Sequence, residues 1–143
     1  MSEVVIDASA ALAVIVTSQA TAPARAFFVD HHADAYIAPH IFSWEMVNAL
    51  NRLVRRGAMT PAASVEARAS LTLLEIDAVD AVAPELIFAI GDRASLLAIR
   101  PFDMAYLDLA VERQCALASR DGPLLAVARK YVQCFDLRGE LPS

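Results

Sequence analysis

What this chain has little of narrows its reading before any motif does. Only four glycines occur in 143 residues, with no repeat and no Gly/Ser-rich tract. That leaves no material for a flexible linker, so one compact domain over residues 1–143 is expected. The only cysteines, Cys115 and Cys134, are too far apart for a zinc pattern or a disulfide framework, and each is expected to be a buried small hydrophobe. Positive charge is scarce as well: 12 Lys and Arg against 17 Asp and Glu give a formal charge of -5. This excludes a protein that grips nucleic acid by a bulk basic stripe. It leaves open an enzyme that meets a polyanion through bound cations.

A membrane span is missing too. Residues 8–24 carry no charge, but the run holds Ser9, Thr17, Ser18, Gln19, Thr21 and Pro23, and no basic residue precedes it. Neither a span nor a signal peptide is supported, so a cytoplasmic protein with no membrane contact is expected. Apolar residues nevertheless make up 57% of the chain, above the roughly 45–50% of ordinary soluble domains. The surplus is expected to cover a partner surface, with a homodimer as the default.

What is present alternates. Val4-Val5-Ile6 reads as a short buried strand ending at Asp7, followed by an alanine-rich helix over 8–15 and another around 23–29. A weaker strand spans 34–37. Ser43 then reads as the N-cap of a helix to Arg56, with Gly57 as its stop and Glu45 in its first turn. Thr60-Pro61 opens a helix to Leu74, 76–82 is a strand candidate, and Pro84 opens a helix to Ile99. Beyond Pro101 come a helix over 103–113, a strand over 115–119, a helix from Asp121 to Lys130 and a last strand over 132–137. This order predicts an α/β domain in three layers, a parallel sheet with helices on both faces and right-handed crossovers. In such sheets the ligand site lies beyond the carboxyl ends of the strands, where Asp7 and Asp121 emerge.

Asp7, Glu45, Asp103 and Asp121 each stand at a strand end or in a helix's first turn. Any one of them alone reads as a helix cap. Four converging on one cleft repel one another by several kcal/mol unless a cation neutralises them, and no Lys or Arg stands out as the match for all four. A divalent metal answers this, and hard oxygen ligands suit Mg2+ or Mn2+.

At these residues the sequence resembles the PIN-domain nucleases, and among them the VapC-type toxins of bacterial toxin–antitoxin pairs. The likeness rests on Val5-Ile6-Asp7-Ala8-Ser9-Ala10, Glu45 with Asn48-Ala49-Leu50, Phe102-Asp103-Met104-Ala105-Tyr106-Leu107, and Ala118-Ser119-Arg120-Asp121, in this order over nearly the whole chain. It implies a Mg2+- or Mn2+-dependent endoribonuclease that hydrolyses RNA phosphodiesters and is silenced by a cognate antitoxin protein. It also implies Asp7 and Asp103 as principal metal ligands, Glu45 and Asp121 as the rest of the acidic cleft, and Ser9 and Ser119 as helpers.

Two other readings stand beside it. One is a catalytically inactive PIN-like interaction module. The other is phosphoryl transfer to Asp7, which calls for a second acid two residues on, where Ser9 stands. Asn48 and Arg52 share a helical face with Glu45 and form either a cleft-lining stripe or a solvent face. His31, His32 and His40 read as solvated turn residues, Asp108 as a surface residue, Asp77 and Asp80 as structural, and Trp44 and Tyr106 as core. Arg52, Arg55, Arg56, Arg100, Arg120, Arg129 and Lys130 are the candidate phosphate contacts.

Overall fold

A computed structural model describes residues 2–139. Five strands form one parallel sheet: β1 (Glu3–Ile6), β2 (Ala35–Ala38), β3 (Asp77–Ala78), β4 (Ala116–Ser119) and β5 (Cys134–Asp136), in the spatial order β3-β2-β1-β4-β5. The three central strands are buried on both faces over most of their length, so their sequences are continuous apolar runs rather than alternating ones. Seven α-helices cover the sheet: α1 (Ala8–Ile15), α2 (Ala22–Asp30), α3 (Ile41–Arg55), α4 (Pro61–Leu74), α5 (Pro84–Leu97), α6 (Pro101–Arg113) and α7 (Gly122–Ala128). The first four pack among themselves and the last three among themselves. Right-handed crossovers put these groups on opposite faces, giving three layers. No helix among the described residues is long and apolar enough to cross a membrane.

From β1 the chain adds strands in one direction through β2 and β3, then crosses back to lay β4 on the other side of β1. The β1–β4 boundary is therefore the point where strand order reverses, and a crevice opens beyond its carboxyl end. Asp7 and Asp121 leave the sheet there.

Several boundaries differ from the sequence reading. β3 has two residues instead of seven because it pairs only with the end of β2. Beyond Ala38 comes Pro39, which has no N–H to continue the ladder. The helix expected to start at Ser43 starts at Ile41, preceded by His40 in helical conformation and without a side-chain cap. The Phe42 N–H already bonds the Pro39 carbonyl at 2.9 Å, so helical bonding is under way before Ser43. Glu45 consequently lies in the second turn of α3, not the first.

Scarce glycine leaves its mark on the helix ends. Glu75, Ala98 and Gln114 close α4, α5 and α6 in the left-handed region, at φ of 53°, 57° and 52°. A Cβ there costs roughly 1 kcal/mol, which glycine avoids. Gln114→Gly, at an exposed position, is expected to raise stability by about 1 kcal/mol in urea unfolding. An unchanged or lower midpoint would show that the strain is relieved locally.

Candidate functional site

Asp7 caps α1 directly after β1. Its Oδ1 accepts the Ala10 N–H at 2.8 Å and the Ser9 hydroxyl at 2.7 Å, and its Oδ2 accepts the Ser119 hydroxyl at 2.5 Å. The side chain is only 4% exposed. Burial dominates the three hydrogen bonds and pushes the carboxyl up from 3.8 to about 6, with the charge of Asp121 adding to the rise. Ser119 is fully buried and also accepts the Asp121 N–H at 2.9 Å, while the Ser9 hydroxyl accepts the Arg120 N–H at 2.9 Å. The two serines thus hold the segments after β1 and β4 together around Asp7.

Asp121 caps α7 through Oδ1, which accepts the Leu124 N–H at 3.1 Å. Asp103 is the third residue of α6 and is buried. Both its oxygens accept from Arg100, from Nε and Nη2 at 3.0 Å each. The same Nη2 lies 3.7 Å from Oδ2 of Asp121. Glu45, half-buried, accepts the Tyr106 hydroxyl at 2.6 Å. Burial raises its carboxyl above the ordinary range, against the Tyr106 bond and the nearby Arg100 charge.

The four acids therefore lie near the carboxyl edge of the sheet, linked in pairs and through Arg100 rather than gathered into one cluster. Asp7 senses the charge of Asp121, and Glu45 senses that of Asp103. The Arg100 guanidinium is raised above its ordinary range first by its hydrogen bond to Asp103, with Asp121 and Glu45 contributing. The sequence reading found no cation to match all four acids; the fold supplies Arg100, which reaches three of them.

Two connections lay outside the sequence reading: Arg100 as the partner of Asp103, and Tyr106 as the partner of Glu45. Their common sequence feature is spacing, since residues 100, 103 and 106 recur every three positions and share one face of α6 and its N-terminus. Tyr106 is in the core as expected, at 1% exposure, and burial raises its phenol so that it remains a hydrogen-bond donor.

Beside the acids runs a groove of about 390 Å³ lined by Trp44, Glu45, Asn48, Arg52, Arg100 and Phe102, among others. Asn48 and Arg52 are exposed and line it, so the two readings of their stripe describe one surface. Trp44, expected in the core, is 67% exposed, because α3 turns Phe42, Met46 and Leu50 inward instead. Arg120, a candidate phosphate contact, is turned away and donates to the backbone and side-chain oxygens of Gln19 at 2.6 and 2.8 Å.

Other residues lie far from this cleft. His31 is not simply solvated: it is half-buried, stacks on Phe27 and bonds Asp34 at 2.8 Å. It lines a larger cavity, about 770 Å³, that holds none of the four acids and sits by the amino ends of β1, β4 and β5. Asp108 pairs with Arg93 at 2.6 Å and joins α6 to α5. Cys115 and Cys134 are free and half-buried rather than fully buried. Part of the apolar surplus reaches the surface on α5, where Leu86, Ile87, Phe88 and Leu96 are exposed.

The donor set fits a hard divalent cation. It consists of carboxylate oxygens, those of Asp7 and Asp103 buried, and burial makes Asp7 protonate unusually easily. The arrangement is not a ready cage, however: among the described residues no three His, Cys, Asp or Glu side chains stand together as a metal-binding group. The cation present among the acids is a guanidinium.

Comparison with known proteins agrees with the fold. The chain is similar in structure to PAE2754 from Pyrobaculum aerophilum, a crystal structure, with a TM-score of 0.69 at 20% identity, covering 94% of this chain and 84% of that one. No curated protein matches the sequence. The family model of the PIN domain matches residues 4–130, from the first residues of β1 to just past α7. With most of its length matched and the parallel sheet in place, the chain belongs to the PIN domain family, whose members are generally metal-dependent nucleases.

Proposed function

We propose that the protein is a metal-dependent endoribonuclease that acts in the cytoplasm as the toxin of a toxin–antitoxin pair, as the sequence resemblance implies. The observation that supports the nuclease reading is the charge coupling of four acids from separate segments by the strand-reversal crevice: Asp7 with Asp121, Glu45 with Asp103, and Arg100 with the last three. Asp7 and Asp103 would hold Mg2+ or Mn2+, with Glu45 and Asp121 completing the set. The bound cation supplies charge stabilisation at the phosphate and a water of lowered pKa.

The chain's own residues then have distinct tasks. Ser9 and Ser119 orient the Asp7 carboxylate through their hydroxyls. Tyr106 keeps Glu45 pointed into the cleft. Arg52 and Arg100 offer guanidinium groups to the RNA backbone along the groove, and the exposed rings of Trp44 and Phe102 offer faces on which unpaired bases stack. A basic side chain of the antitoxin would suit the acidic cleft, and the exposed apolar residues of α5 suit a second copy in a homodimer.

The test is cleavage of total RNA by purified, partner-free protein in Mg2+, in Mn2+ and in EDTA. Cleavage with either metal and none in EDTA is the expected result. Intact RNA under every condition would overturn the nuclease reading. It would favour the inactive interaction module, for which the guanidinium set among the carboxylates is the specific support.

A further inference from the structure

We propose that Arg100 is the resident counter-ion of the acidic cleft, and that a divalent cation binds Asp103 only by displacing its guanidinium. The inference rests on the metal-dependent reading of the site. Both oxygens of Asp103 are engaged, by Nε and Nη2 at 3.0 Å each. A buried carboxylate with a bidentate guanidinium has little room for a second cation on the same oxygens, and two cations there would repel. The same Nη2 lies 3.7 Å from Asp121, and the Arg100 charge is felt at Glu45. One side chain therefore offsets the repulsion among three acids, work that a metal would otherwise do.

Arg100 is built to leave. Its side chain is 63% exposed although that of its partner Asp103 is only 9% exposed. It sits just before the first turn of α6, so its long stem swings without disturbing a helix. It also lines the groove that holds Arg52, Trp44 and Phe102. Released from Asp103, the guanidinium stays within that groove, where a phosphodiester is its natural partner. Metal entry and the gain of a free backbone-gripping cation then become one event: the cleft takes up a divalent ion and the groove becomes more positive.

Calorimetric titration of Mn2+ into the full chain tests this in wild type, Arg100→Gln and Arg100→Lys, with circular dichroism to verify folding. Arg100→Gln is expected to bind Mn2+ about tenfold more tightly than wild type, and its metal-free Tm is expected to fall because the carboxylates lose their counter-ion. Arg100→Lys, which keeps the charge but not the two-pronged bond, is expected to fall between them. A purely structural Arg100 would leave Mn2+ affinity unchanged or weaken it, and that result in a chain that does bind Mn2+ overturns the proposal while the metal-dependent reading stands. No Mn2+ binding by any of the three overturns both. Should the variants fail to fold, the Arg100 Nε–H resonance of the wild-type protein decides. It is expected to shift to a solvent-exposed position as Mg2+ is added, and a resonance that stays put as Mg2+ saturates the protein overturns displacement.

Discussion

Asp7→Asn is expected to lower metal-dependent RNA cleavage by about 10²–10³-fold while leaving the fold in place, a magnitude typical of removing one electrostatic group from a catalytic centre. The change takes away a negative charge and almost nothing else. Asparagine is as good an N-cap as aspartate, so the bond from the Ala10 N–H that starts α1 is kept. The Ser9 and Ser119 hydroxyls now donate to the carboxylate, and either rotates to accept from an amide instead. Circular dichroism and Tm therefore report a folded protein, and the loss appears in cleavage alone. A variant that cleaves RNA like wild type in Mg2+ would remove Asp7 from the proposed metal site.

The second large effect is on stability against pH, measured without metal. The Asp7 carboxyl is raised from 3.8 to about 6 by burial. The folded state therefore holds this proton more tightly than the unfolded state between those two values. Stability from this group is fully present below about pH 4 and is lost as pH rises to about 6, at a cost of about 3 kcal/mol. In EDTA, wild type is expected to lose that much relative to Asp7→Asn between pH 4 and pH 7, read as the difference of two urea-unfolding series. Using the difference removes the other carboxylates; Asp136, held down to about 2 chiefly by its hydrogen bond with Arg138, changes only below this window. A difference that stays flat from pH 4 to pH 7 would mean that water reaches Asp7 and offsets its burial.

Both effects arise from the same circumstance. The fold buries an ionisable group so deeply that three hydrogen bonds do not fully offset the loss of water around its charge. Ser119 illustrates the cost of keeping it there: fully buried, it divides its hydroxyl between the Asp7 carboxylate and the Asp121 backbone.

Periodic and terminal features were legible without coordinates. The apolar run of β1, the Thr60-Pro61 start of α4 and the placing of Asp7, Asp103 and Asp121 at element ends come from local chemistry, which neighbouring residues alone express. What misled was local chemistry overruled by tertiary partners. Ser43 has the composition of a cap, yet Pro39 turns the chain so that α3 is already formed when Ser43 is reached. The apolar stretch after Ile76 has the composition of a strand, yet the strand beside it ends at a proline. Trp44 is the largest aromatic side chain of its helix, yet three smaller neighbours, Phe42, Met46 and Leu50, take the inward face.

By itself the sequence determined the α/β class and the alternation of its elements, and it singled out Asp7, Glu45, Asp103 and Asp121 as candidates, because periodicity, capping and residue chemistry are properties of short segments. Only the tertiary structure decided what surrounds those acids. Arg100 and Asp103 are three residues apart, but Asp121 joins them from the far side of β4, and Tyr106 meets Glu45 across 61 positions of chain. Which charge is matched, and by what, depends on distance through space in a medium of low polarity, and no reading along the chain measures that distance.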